Sequence, residues 1–114
     1  MLPRENRLKQ KSDFERVKRK GTLFNKGPVG LAVYKRGDSK ATRVGIVVSL
    51  KVSKKAVERN RLKRRLREIL RQEIMPAVKN GIDGLILTQK PLLELSFDEL
   101  KQQTITLFKK ARLI

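Results

Sequence analysis

The chain has 114 residues and a formal net charge of +18 at pH 7, from 29 Lys and Arg against 11 Asp and Glu. It contains neither Cys nor His, which excludes disulfides, thiolate zinc centres and any histidine base or metal ligand. No apolar run approaches ~18 residues, and Met1-Leu2-Pro3-Arg4-Glu5 has no apolar core of a secretion signal, so the expectation is one cytoplasmic domain that attracts polyanions, with no membrane and no small-molecule substrate as partner.

Residues 1–11 are basic and poor in apolar groups, and are expected to form a flexible arm that orders on contact with RNA or with the domain. Ser12-Asp13-Phe14-Glu15 has the form of a capping box, with Ser12 as N-cap, so a short helix is predicted to Lys20, ended by a left-handed Gly21. Thr22–Asn25 reads as a short strand broken by Gly27-Pro28, and Val29–Tyr34 as a second strand. Lys35–Lys40 reads as a hairpin loop returning into Thr42–Ser49, whose β-branched residues predict a central strand. Within it Gly45 leaves one face open to a bulky neighbour.

The stretch Lys51–Arg71 holds ten basic residues and two acidic ones in 21 positions. At ~100° per residue, Leu62, Leu66, Ile69, Leu70 and Ile74 share a core-facing stripe. Asn60, Arg64, Arg67 and Arg71 share the opposite face, with Arg61 and Arg65 on a flank. A helix from Lys54 to Met75 is predicted, with Ser53 as N-cap and Pro76 as terminator. A packed helix presents its cations at a smaller entropic cost than a loose basic tail would. Arg59 lies nearer the core face, where Glu58 or Glu73 is an alternative partner, and Lys63 sits at a similar edge.

Beyond Pro76, the apolar run in Ile82–Thr88 predicts a strand buried on both faces. Ser96-Phe97-Asp98-Glu99 is a second capping box, opening a final helix with a stripe of Phe97, Leu100, Thr104, Leu107, Phe108 and Ala111. The order α-β-β-β-α-β-α defines a single α+β domain over 1–114, with about four strands in a mixed sheet packed by helices.

The 11 carboxylates are scattered, and the close pairs Asp13/Glu15 and Asp98/Glu99 fall in first helical turns, where the helix dipole accounts for them. Two-metal phosphodiester cleavage needs several acids converging on ions ~4 Å apart, so no catalytic residue and no metal ligand is assigned. What remains is RNA contact: Arg and Lys for phosphates, Asn60 for a sugar or base edge. The five aromatics, Phe14, Phe24, Tyr34, Phe97 and Phe108, read first as core.

Lys51, Ala56, Arg59-Asn60-Arg61, Lys63-Arg64 and Arg67-Glu68, preceded by Arg43–Ser49, resemble the bacterial ribonuclease P protein subunit. Asn6-Arg7-Leu8, Asp13-Phe14, Gly21, Asp83 and Lys90-Pro91 extend the likeness over nearly the whole chain. The resemblance implies a left-handed βαβ crossover, like that of a ribosomal small-subunit protein domain. It also implies a ribonucleoprotein that removes the 5′ leader of precursor tRNA, the RNA subunit supplying the active site with bound magnesium. Lys51, Arg59, Asn60, Arg61, Lys63, Arg64, Arg67 and Arg71 would bind that catalytic RNA, and Phe14 would line a cleft for the leader. The family pattern has further aromatics where this chain has Lys18 and Ala32; Lys18 itself and Tyr34, on the same strand face as Ala32, are the candidates to stand in. The alternative is a ribosomal or other structural RNA-binding protein without tRNA processing.

Overall fold

In a computed structural model describing residues 2–114, the helices and strands follow the predicted order. Helix α1 spans Lys11–Lys20, strands β1, β2 and β3 span Thr22–Lys26, Val29–Lys35 and Arg43–Val47, and helix α2 spans Ala56–Ile69. Strand β4 spans Ile82–Thr88 and helix α3 Phe97–Lys110, with a one-turn-wide 3-10 segment, Lys90–Glu94, between them. The four strands form one mixed sheet in the order β1-β2-β4-β3.

That order corrects two expectations. Strands β2 and β3 are not a hairpin: β4 lies between them, antiparallel to β2 and parallel to β3. The loop after β2 wraps the start of β4, with the Arg36 amide bonded to the Gly81 carbonyl and the Gly81 amide to the Lys40 carbonyl, both at 2.8 Å. The Arg36 guanidinium fills that loop, donating to the carbonyls of Lys40, Ala41 and Ile82. A Gly-Asp loop is compatible with either connection, so local turn chemistry did not distinguish them. Strand β3 is correspondingly an edge of the four-stranded sheet rather than central. Its β-branched sequence reflects helices on both faces and a docked N-terminal segment on its outer side.

The docked segment is the basic arm expected at 1–11, of which Met1 lies outside the described residues. Arg7 forms a parallel bridge with Val44, the Leu8 amide bonds the Val44 carbonyl at 3.2 Å, and Asn6 Nδ2 donates to the Thr42 carbonyl at 2.9 Å. Leu2 and Leu8 are buried. The arm thus satisfies part of an edge that would otherwise expose unpaired backbone groups.

Helices α2 and α3 bury one face of the sheet. Leu62, Leu66 and Ile69 pack with Leu100, Leu107 and Phe108 against Leu31, Val44 and Ile86. Leu70–Ile74 closes α2 with wider π turns, the Met75 amide bonding the Leu70 carbonyl at 2.8 Å, and Leu70 and Ile74 are both buried. Strand β4 presents Ile86 to this core and Leu85 to the smaller one under α1, both fully buried, as its continuous apolar run requires. The Ser96 capping box forms as predicted, Ser96 Oγ accepting from the Glu99 amide and Glu99 from the Ser96 amide.

Two caps differ from expectation. Helix α1 starts two residues earlier than the Ser12 box predicts, with Gln10 as N-cap and no side-chain cap, and Asp13 in its first turn is engaged by arginines. Gly21 ends α1 in extended backbone, φ −75°, not the left-handed region. Its requirement is space: a Cβ there would stand 2.4 Å from the Val17 carbonyl oxygen and 3.0 Å from that of Val33. Gly21→Ala is therefore expected to lose about 1–3 kcal/mol to overpacking, read as a lower midpoint in urea unfolding.

Candidate RNA interface

The first turn of α2 is held by a device the Ser53 cap only partly anticipated. Lys55, not Ser53, is the N-cap residue. Ser53 Oγ accepts from the Lys55 amide at 3.1 Å and donates to Glu58 Oε1 at 2.5 Å, while Arg59 Nη1 donates to the Ser53 carbonyl at 2.8 Å. Arg59 is half-buried and anchors the helix start rather than pairing with Glu58 or Glu73. Arg65 turns away likewise, donating to the Leu95 carbonyl at 3.2 Å. Arg71 is paired with Glu68, which also accepts from Gln72 Nε2 at 2.6 Å. The Arg71 hydrogen bond holds the Glu68 carboxyl below its usual range, and Glu68 in turn raises the already high Arg71 value.

Asn60, Arg64 and Arg67 remain exposed on the outer face of α2 and Arg61 on its flank, beside Glu58, Arg65 and Leu92. None of these four side chains has a hydrogen-bond or salt-bridge partner among the described residues. Asn60, Arg64 and Arg67 line an open groove of about 670 Å³ with Arg7 and Glu68. Arg7 and Arg67 also line an adjoining hollow of about 210 Å³, whose walls include Lys63, Lys9, Val44, Gly45 and Phe14. The basic groove and the aromatic hollow therefore share two cations. Lys51 is exposed on the loop between β3 and α2, in a separate basin with Lys54, Lys55, Lys90 and Leu93.

Phe14 is half-buried, and its ring occupies the space that Gly45 leaves: a Cβ on Gly45 would stand 2.9 Å from Phe14 Cζ and 2.9 Å from Leu85 Cδ2. The bulky neighbour expected over Gly45 is thus the side chain expected in the cleft. Lys18 is exposed on α1, and neither it nor Tyr34 lines the hollow containing Phe14. Tyr34 does share the sheet face and the small core with Phe14, and the Arg16 guanidinium lies 5.8 Å from its ring centroid. Ala32 is buried in the same small core and offers no aromatic surface.

Sequence reasoning missed Arg7 as a wall of both cavities, since a basic arm carries no signal of where it docks. It also missed an ion network under α1. Asp83, fully buried, accepts from Arg43 Nε at 2.9 Å and Arg43 Nη2 at 2.7 Å, and from Arg36. Arg43 Nη1 reaches Asp13 Oδ2 at 3.2 Å, and Asp13 Oδ1 accepts from Arg16 at 2.9 Å. The Asp83 hydrogen bonds raise the Arg43 value further, and Asp38 does the same for Arg36. Among the described residues no three Asp or Glu side chains gather as metal ligands, and no helix is long and apolar enough to cross a membrane.

An α+β domain whose outer helix presents unpaired cations beside an aromatic hollow has the chemistry of a nucleic-acid-binding protein. The Ribonuclease P family model matches residues 2–112, so the chain belongs to the ribonuclease P protein family. The ribonuclease P protein component of a Pseudanabaena species is 36% identical over 100% of this chain and 97% of that protein. That of Bacillus velezensis is 34% identical over 98% and 94%. The solved ribonuclease P protein of Thermotoga maritima superposes with a TM-score of 0.81 at 30% identity, covering 91% of this chain and 96% of that one. The Staphylococcus aureus protein, at 23% identity, shows the same fold with a TM-score of 0.85 over 95% and 96%. These likenesses support the protein component of ribonuclease P over the ribosomal-type alternative.

Proposed function

We propose that this protein subunit binds the catalytic RNA of ribonuclease P through Asn60, Arg61, Arg64 and Arg67, with Lys51 and Lys63 at the margins. Arg59 and Arg71, tied to Ser53 and Glu68, act mainly by shaping that surface. The hollow under Phe14 receives the single-stranded 5′ leader of precursor tRNA, in the cytoplasm where both RNAs are made. The observation that carries the reading is the set of exposed, internally unpartnered groups on a packed helix, continuous through Arg7 and Arg67 with an aromatic hollow. Phosphates match the cations, and a single strand matches an aromatic surface that stacks on any base.

The hydrolysis itself is assigned to the RNA subunit and its magnesium ions. The buried carboxylates of this chain, Asp13 and Asp83, are engaged by arginines, which disfavours them as metal ligands. The role of the protein is to hold the leader and screen phosphate repulsion as substrate and catalytic RNA approach. The expected result is cleavage of precursor tRNA at low magnesium when protein and RNA subunit are combined, and none by nuclease-free protein with magnesium alone. Cleavage by the protein alone, or no stimulation of the RNA subunit, contradicts the assignment.

A further inference from the structure

The ion network beneath α1 joins elements distant in sequence. Asp83 belongs to β4, Arg43 to β3 and Asp13 to the first turn of α1. Asp83 holds Arg43 with two hydrogen bonds, and Arg43 passes its remaining nitrogen to Asp13. Asp13 immediately precedes Phe14, whose ring rests on Gly45, two residues beyond Arg43 on the same strand. The link from sheet to helix therefore runs alongside the contact of Phe14 with the sheet. Apolar packing under α1 is smaller than under α2 and α3: Leu8, Val17, Ala32 and Leu85 are buried there, with Phe14, Tyr34, Val47 and Leu87 packed partly buried against them. Directional bonds therefore share in setting where the helix stands.

We infer that Asp83, Arg43 and Asp13 form a positioning relay that sets the place of the Phe14 ring over Gly45, and with it the fit of the hollow to a nucleotide of the leader. The functional half rests on the leader-binding reading above. Asp83 is the fixed end, fully buried and also held by Arg36 from the loop that wraps β4. A buried carboxylate with two guanidinium partners has little freedom to move, because leaving either partner exposes an uncompensated charge. Asp13 is the adjustable end, since its partners Arg16 and Arg43 are 37% and 29% exposed at the side chain and reach water when released.

Asp13→Asn is the variant to test, because it keeps the side-chain size and leaves no deeply buried cation behind. Asp83→Asn strands two arginines and serves only as a comparison for stability. The first measurement needs no RNA: ring-current-shifted NMR resonances of the Gly45 α-protons and Leu85 methyls report the position of the Phe14 ring. They are expected to shift in Asp13→Asn while the rest of the spectrum stays folded. The second uses holoenzyme reconstituted with the catalytic RNA. The ratio of affinities for precursor tRNA with a leader of several nucleotides and for mature tRNA is expected to fall by roughly five- to tenfold, part of the stacking on one base. Phe14→Ala is run alongside. Unchanged Gly45 and Leu85 resonances in Asp13→Asn overturn the relay whatever the leader does. If the resonances move, and Phe14→Ala lowers the affinity ratio but Asp13→Asn does not, ring placement has no bearing on binding and the inference fails. If neither variant changes the ratio, the leader reading itself fails and takes the functional half of the relay with it.

Discussion

The double variant Arg64→Ala/Arg67→Ala is expected to bind the catalytic RNA at least tenfold more weakly at moderate salt, with an unchanged fold. Both side chains are exposed on the outer face of α2 and neither has an internal partner among the described residues, so their removal breaks nothing in the domain. Each phosphate neutralised releases condensed counterions, at a slope of about 0.7–0.9 in log affinity against log salt. Losing two such contacts should make the slope shallower by roughly one to two. Titrations at several salt concentrations, with circular dichroism as the folding control, measure both quantities. Arg71→Ala provides the contrast: its cation is already paired with Glu68, so its expected effect on the slope is smaller than that of either Arg64 or Arg67. An unchanged slope in the double variant means that this face of α2 points at solvent in the assembled enzyme.

Phe14→Ala is the second large effect, and it divides between stability and binding. A fully buried Phe costs ~3–5 kcal/mol when truncated. Phe14 is half-buried: its ring packs over Gly45 and against the small core under α1, and it also lines the hollow. A loss of about 1–3 kcal/mol in folding stability is the expected share of that half. The exposed half should contribute ~1–3 kcal/mol of stacking if a base rests on it. The holoenzyme should therefore bind precursor tRNA with a leader of several nucleotides markedly more weakly, while mature tRNA is barely affected. The melting temperature reports the structural share and the two tRNA affinities report the functional one. Equal weakening for both tRNAs, or outright unfolding, makes Phe14 a core residue and removes the leader from this hollow.

Charge and aromatic surface divide the work on this molecule unevenly. Only Phe14 among the five aromatics lines the hollow, since Ala32 is buried and Tyr34 lies under the Arg16 guanidinium. Arg7, Lys9, Lys63 and Arg67 surround that one ring. If the hollow receives the leader, its affinity should depend more steeply on salt than in a protein with several stacking rings, a consequence of replacing neutral contacts by phosphate contacts.

By itself the sequence determined what depends on neighbours within a few residues. The 3.6-residue stripe of Leu62, Leu66 and Ile69 placed Asn60, Arg64 and Arg67 on the outer face, the Ser96 box started α3, and the uninterrupted run in β4 required burial on both sides. Gly45 even announced a bulky neighbour. Its identity as Phe14, 31 residues earlier in the chain, came from the packing alone. Only the tertiary structure decided that β4 separates β2 from β3, that the arm seals the β3 edge, and that Asp83 joins Arg36 and Arg43. The reason is physical. Periodicity and capping are set by backbone geometry within one or two turns, so they are written locally. A strand's partner and a guanidinium's partner are chosen among groups brought together by folding, and a long Arg side chain reaches several of them at similar cost. Hence periodicity set Arg59 and Arg65 apart from Arg64 and Arg67 but named no carbonyl for either to bond, and it grouped Arg71 with the outer face. Only the folded chain shows that Ser53, Leu95 and Glu68 hold these three while Arg64 and Arg67 are left free to meet RNA.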